Sequence, residues 1–113
     1  MKSTKQMILE LLNEITPDDV SIGFWQLECM LQYIMENPES INNLKKDVYP
    51  HIASIFKCKP NSIEKNISRL IPLINVTKLS EIIDKDIDIE SLTVGKLVNY
   101  IVIYLKLKIY AMR

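Results

Sequence analysis

YPHIASIFKCKPNSIEKNISRLI, residues 49–71, reads as one short helix, a tight polar turn and a second helix with two different faces. Pro50 sits where a helix can begin, because the first helical position needs no donated N–H. Ile52, Ala53, Ile55 and Phe56 follow at helical spacing and give the first helix an apolar stripe. Lys57-Cys58-Lys59-Pro60 breaks that pattern, and Pro60 blocks its continuation. Asn61 is the candidate N-cap of the second helix, with Glu64 three residues later in the capping-box position. Ile63, Ile67, Leu70, Ile71 and Ile74 then recur on one side of that helix, which is expected to run over about 61–71. Ser62, Lys65, Asn66 and Arg69 make the polar side, at i, i+3, i+4 and i+7.

This is the pattern of a helix-turn-helix, whose second helix enters the DNA major groove. The residue types suit that task. Arg or Lys donates to guanine O6 and N7, Asn pairs with adenine, and Ser serves either a base or a phosphate. Ser62, Lys65, Asn66 and Arg69 are therefore the expected base contacts, and Lys57, Lys59 and Asn61 at the turn the expected phosphate contacts. An ordinary solvated helix face has the same composition. Charge placement weighs between the two readings. Residues 1–44 hold two lysines and seven carboxylates, net −5, whereas residues 45–78 hold seven basic and two acidic residues, net +5. The positive charge centres on the turn and second helix, through Lys45, Lys46, Lys57, Lys59, Lys65, Arg69 and Lys78. Localised positive charge is what phosphate binding requires.

Outward from this motif, 113 residues with 48% apolar content make one domain, 1–113, with a core that needs no disulfide or metal. Two glycines and mostly helical apolar spacing predict an all-α, compact bundle of about six helices. Lys5–Glu14 is the first helix, burying Ile8, Leu11, Leu12 and Ile15. Thr16-Pro17-Asp18-Asp19 is a turn or a new helix start. Ile22–Met35 is a second helix, with Phe24, Trp25, Leu27, Cys29, Leu31 and Ile34 expected in the core. Asn37-Pro38 ends it, and Pro38–Asp47 is a third helix anchored by Ile41 and Leu44. Pro72 is expected to kink or end the recognition helix. Thr77–Ile83 is short and helical, and Asp84–Glu90 is a connector. Thr93–Arg113 is the last helix. It carries one apolar stripe of Leu97, Val98, Ile101, Val102 and Leu105, and a second of Tyr100, Ile103, Tyr104, Leu107 and Tyr110. The second stripe either packs within this chain or is a candidate dimer surface, since tyrosines are common at interfaces.

Several function classes lack their residues. His51 is the only histidine and lies far in sequence from any carboxylate cluster, so it reads as a surface side chain. No histidines or cysteines have metal-ligand spacing, and the segment Asp84, Asp86, Asp88, Glu90 lacks the central glycine of a calcium loop. There is no glycine-rich phosphate loop and no nucleophile elbow. No catalytic residue, metal, cofactor or small-molecule substrate is expected. No apolar run reaches a membrane span, no signal peptide is visible, and Cys29 and Cys58 read as free thiols of a cytoplasmic protein.

Three segments in order resemble the DNA-binding effector domain of the stage 0 sporulation protein A family. They are ILELLNEITPDDVSIGFWQL, DVYPHIASIFKCKPNSIEKNISRLI and LTVGKLVNYIVIYLKLK. The specific part is Tyr49-Pro50, Ile52-Ala53, Phe56, Ile63-Glu64 and Ile67. The resemblance implies a six-helix domain whose recognition helix reads a short promoter box, usually as dimers on tandem sites. Ser62, Lys65 and Ser68 stand where the family has arginines, Arg69 where it has histidine, and Pro72 replaces a helix-compatible residue. Lysine does not reproduce bidentate arginine recognition. The family carries a receiver domain ahead of this effector, whereas here Met1 begins almost at the first helix. Control is then expected from expression level, dimerisation or a partner. Two readings follow: a sequence-specific transcriptional regulator bound to double-stranded DNA, and an interaction module of the same fold. The second has lost DNA reading and acts by dimerising, as a homodimer or as a heterodimer with a related regulator, or by antagonising that regulator.

Overall fold

Short polar side chains start most of the helices in this chain. The structure, a computed structural model, describes residues 2–16 and 21–112. Among them are six α-helices and no strand: α1 (Thr4–Ile15), α2 (Ile22–Glu36), α3 (Tyr49–Phe56), α4 (Pro60–Ser68), α5 (Val76–Ile83) and α6 (Val94–Ala111). Ser3 and Gln6 form a reciprocal capping box on α1, with Gln6 N–H donating to Ser3 Oγ at 3.1 Å and Ser3 N–H to Gln6 Oε1 at 2.9 Å. Asn75 caps α5 through Lys78 N–H, and Thr93 caps α6 through Lys96 N–H. The Asn75 N–H also donates to Ile15 O at 2.7 Å, tying the start of α5 to the end of α1. The radius of gyration is 13.3 Å, close to the ~13 Å of a packed domain of this length. The all-α bundle expected from apolar spacing is therefore the observed fold.

α2 is the centre of the bundle, packing against α1, α3, α4 and α6. Its buried Phe24, Leu27, Met30, Leu31 and Ile34 meet Ile8, Leu12 and Ile15 of α1, Ile52 of α3, Ile63 and Ile67 of α4, and Leu97, Ile101 and Leu105 of α6 in one apolar cluster. Two residues assigned to the core from sequence lie elsewhere. Trp25 is 42% exposed, edge-on to Phe24 at 5.2 Å between ring centres. Cys29 is only half-buried, and that burial, with Glu28 beside it, pushes its thiol pKa up. Both lie on the flank of α2, because α1, α3, α4 and α6 cover the rest of it.

The expected third helix, Pro38–Asp47, is two shorter pieces. Pro38–Asn42 forms a 3₁₀ turn and Leu44–Val48 a π turn that runs into α3. Within it, Asp47 N–H and Val48 N–H both donate to Asn43 O, at 2.8 and 3.3 Å. Such an insertion rotates the following helix relative to the preceding chain. Ile55, predicted on the apolar stripe of α3, is 53% exposed, while Ile52 and Ala53 are buried and Phe56 half-buried. The predicted turn at Pro17–Asp19 lies outside the described residues. The Asp84–Glu90 connector is irregular as expected and ends in a 3₁₀ turn at Ile89–Ser91.

Candidate nucleic-acid interface

α3 and α4 are joined by Lys57, Cys58 and Lys59. Lys57 closes α3 in the left-handed conformation, φ 54° and ψ 50°. Cys58 N–H then donates back to Ala53 O at 3.0 Å, the bond of a Schellman-type stop. Glycine is the residue favoured at such a position, because a Cβ costs roughly 1 kcal/mol there. Lys57 occupies it with a cation at the tip of the turn. Lys57→Gly is therefore expected to raise the urea midpoint, with a gain of up to about 1 kcal/mol. The same change is expected to lower the slope of log K against log salt for DNA by about 0.9, the loss of one phosphate contact. An unchanged salt slope would show that Lys57 touches no phosphate.

The start of α4 differs from the sequence expectation. Its N-cap is Lys59, in extended conformation, with Pro60 in the first turn; Asn61 makes no cap bond and there is no Asn61–Glu64 capping box. Proline accounts for the shift. Its fixed φ suits the first helical turn and its missing N–H costs nothing there, so it opens the helix one residue before Asn61. The helix also ends sooner than expected. Arg69 is its C-cap, and Ile71–Leu73 form a separate 3₁₀ turn that holds Pro72.

α4 buries Ile63 and Ile67, and its continuation buries Leu70, Ile71 and Ile74. On the outer side Asn61, Lys65, Ser68 and Arg69 are exposed. With the half-buried Glu64 they line a shallow groove of about 350 Å³. Ser62 is half-buried on the flank. Asn66 is half-buried too, and its Nδ2 donates to Oε1 of Gln26 on α2 at 3.0 Å. The structure thus separates the four polar residues of the predicted face. Lys65 and Arg69 share the open side, and Asn66 is held by the helix beneath. Ser68 was missed as an outward residue, although the helical wheel contains it. At ~100° per residue, Lys65 lies about 170° from the centre of Ile63, Ile67 and Leu70, whereas Asn66 lies only about 70° from it.

Lys57, Lys59, Lys65 and Arg69 are all exposed, as are Lys45 and Lys46 on the π turn. None of them is ion-paired among the described residues, where the ion pairs are Lys2–Glu10, from just before α1 to α1, and Lys5–Glu28, between α1 and α2. Asp47, the carboxylate nearest in sequence to Lys45 and Lys46, accepts from the Tyr33 hydroxyl at 2.7 Å. That hydrogen bond raises the Tyr33 pKa, and His51 stacks on the Tyr33 ring at 4.1 Å. Tyr49, the first residue of α3, is buried; desolvation first and the Glu64 carboxylate second push its pKa up to about 12, so the phenol stays neutral. The side formed by the turn and α4 is therefore solvated and predominantly positive, four cations against the Glu64 carboxylate in the groove, the condition for counter-ion release on a polyanion.

The outer face of α6 also stays open. Ile103, Leu107 and Tyr110 are 55%, 65% and 76% exposed. Tyr100 and Tyr104 are half-buried, with Lys85 Nζ 5.4 Å from the Tyr100 ring centre and Lys108 Nζ 5.7 Å from that of Tyr104. Among the described residues no three His, Cys, Asp or Glu side chains are grouped to hold a metal, and no helix is long and apolar enough to cross a membrane.

The family model described as Sporulation initiation factor Spo0A C terminal matches the chain over residues 8–104, from within α1 into α6. No curated protein matches it in sequence.

Proposed function

The chain belongs to the Spo0A C-terminal family, a family of DNA-binding domains, and on that premise we propose a sequence-specific transcriptional regulator that places α4 in the major groove. One observation carries this reading: the exposed side of α4 and its turn gathers Lys57, Lys59, Lys65 and Arg69, with no carboxylate among the described residues paired to any of them. Lys65 and Arg69 reach base edges, with Ser62 and Ser68 beside them. Lys57, Lys59 and Asn61, before and at the first turn of α4, hold phosphates and set the docking angle. Duplex DNA is the partner, and the cytoplasm the place of action. Selection from a randomised duplex pool, followed by anisotropy at two salt concentrations, tests this. A short motif whose preference persists at the higher salt is expected. Binding without any enriched motif would exclude sequence reading.

The exposed stripe of α6 favours a second, compatible role in self-association. Ile103, Leu107 and Tyr110, flanked by Tyr100 and Tyr104, present a continuous apolar strip of the kind that marks protein contacts. Light scattering is expected to give a dimer that Leu107→Glu converts to monomer. A wild-type monomer at high concentration removes the homodimer. Monomer together with sequence-independent DNA binding moves the reading to an interaction module that pairs with, or antagonises, a related regulator.

A further inference from the structure

We infer that Gly23 and Gln26 of α2 are positioning residues that grip Asn66 and thereby set the roll of α4 about its own axis. The inference rests on the DNA-reading role of α4 proposed above. Gly23 and Gln26 are three residues apart, so they share one face of α2. That face receives a single residue of α4 at two points. Gln26, 2% exposed, accepts from the Asn66 side chain at 3.0 Å. Beside it, a Cβ built on Gly23 would stand 2.5 Å from the Asn66 carbonyl oxygen and 3.0 Å from its carbonyl carbon. Only a residue without a side chain lets the two backbones come this close. At this level α4 is already ending, since Leu70 N–H donates to Ile67 O.

The physical need for such a grip follows from the rest of the contact. Ile63, Ile67 and Leu70 hold α4 by apolar packing, which fixes depth better than rotation. A hydrogen bond has a direction, and a buried amide left without its partner is costly. The bond and the glycine notch therefore select one rotation of α4. Lys65 precedes Asn66 and Arg69 lies three residues after it, so this rotation decides where both cations point. Asn66 then contributes to recognition through Lys65 and Arg69 rather than by reading a base with the amide hydrogen that Gln26 holds.

Gln26→Leu removes the acceptor and leaves an apolar side chain in a buried site. Gln26→Glu keeps an accepting oxygen. Two measurements on the full chain test the inference. The first is the orientation of α4 amide vectors relative to α1, α2 and α6, from residual dipolar couplings without DNA. The second is the ratio of affinity for the selected site to that for random duplex. In Gln26→Leu, α4 is expected to change orientation while the other helices keep theirs. The ratio is expected to fall about 10-fold, the scale of one impaired base contact, and the Tm to fall by a few degrees as the Asn66 amide loses its partner. Gln26→Glu is expected to restore the ratio even where its charge weakens binding overall. Gly23→Ala, which pushes on the same carbonyl, is expected to shift α4 in the same assay. An unchanged α4 orientation in both Gln26→Leu and Gly23→Ala overturns the inference, whatever DNA does. So does a reoriented α4 with an unchanged ratio. If wild type selects no motif but α4 still reorients, the grip stands as structure and the DNA-reading role is what fails.

Discussion

Lys65→Ala/Arg69→Ala is expected to remove specific DNA binding while leaving the melting temperature within a few degrees of wild type. Both side chains are exposed on α4, and neither is ion-paired among the described residues. Exposed, unpaired charges contribute little to folding, so their removal costs within about 0.5 kcal/mol of stability. Binding is different. A well-placed arginine on a base edge is worth about 1–3 kcal/mol of discrimination, and a lysine acts as a point charge at the smaller end of that range. Together they predict a loss of about 2–4 kcal/mol, or roughly 30-fold to 1000-fold in affinity for the selected site. The form of the loss matters as much as its size. Base contacts lower the ratio of specific to non-specific binding, whereas phosphate contacts weaken all sequences alike and reduce the salt slope by about 0.9 each. Anisotropy titrations of both duplex types at several salt concentrations distinguish the two. A double variant that binds the selected site as tightly as wild type would falsify the docking of α4.

Two residues along the same helix, the opposite result is expected. Ile67 is fully buried, facing α2. Ile67→Ala deletes three carbons from a site whose walls belong to several helices and close only partly, so the cost is about 2–5 kcal/mol. Against a typical total of ~5–15 kcal/mol, that is a large share of the stability of a domain this small. The melting temperature is expected to drop by roughly 10–20 °C. At low temperature, where the variant stays folded, DNA affinity is expected to fall far less than in the Lys65/Arg69 variant, because the outward cations remain. Calorimetry and low-temperature anisotropy on the same sample check both halves. A melting temperature unchanged by Ile67→Ala would mean that α4 is not packed as described.

Much of the architecture was legible because helix formation leaves a local trace. Apolar residues recurring every three or four positions located α1, α2, α4, α5 and α6, and the buried sides of α1, α4 and α6 agree with that spacing. Proline was harder to read. In the sequence Pro60 reads as a barrier ahead of an Asn61 cap, yet it opens the helix itself. The same residue stops one helix and starts the next, and only the chain direction on either side tells which. The 3₁₀ and π turns between α2 and α3 read as one helix in the sequence, because their apolar residues are too few to define a period. Trp25 departs from its expected burial for another reason. Size and hydrophobicity favour burial, but α2 has more apolar surface than its neighbours cover.

The candidate site divides in the same way. Sequence alone determined that positive charge gathers on the turn and the second helix, and that Lys65 faces away from the isoleucines. Both follow from residue identity and a fixed rotation per residue, which are properties of the chain itself. The tertiary structure decided which polar residues on that helix are free to act. Asn66 and Arg69 look equivalent in a list of polar positions, but α2 passes beneath one and not the other. Gly23 lets α2 come close enough for Gln26 to hold Asn66. Periodicity within one helix encodes its faces, whereas the use of each face depends on where a second helix, forty residues earlier in the chain, comes to rest against it.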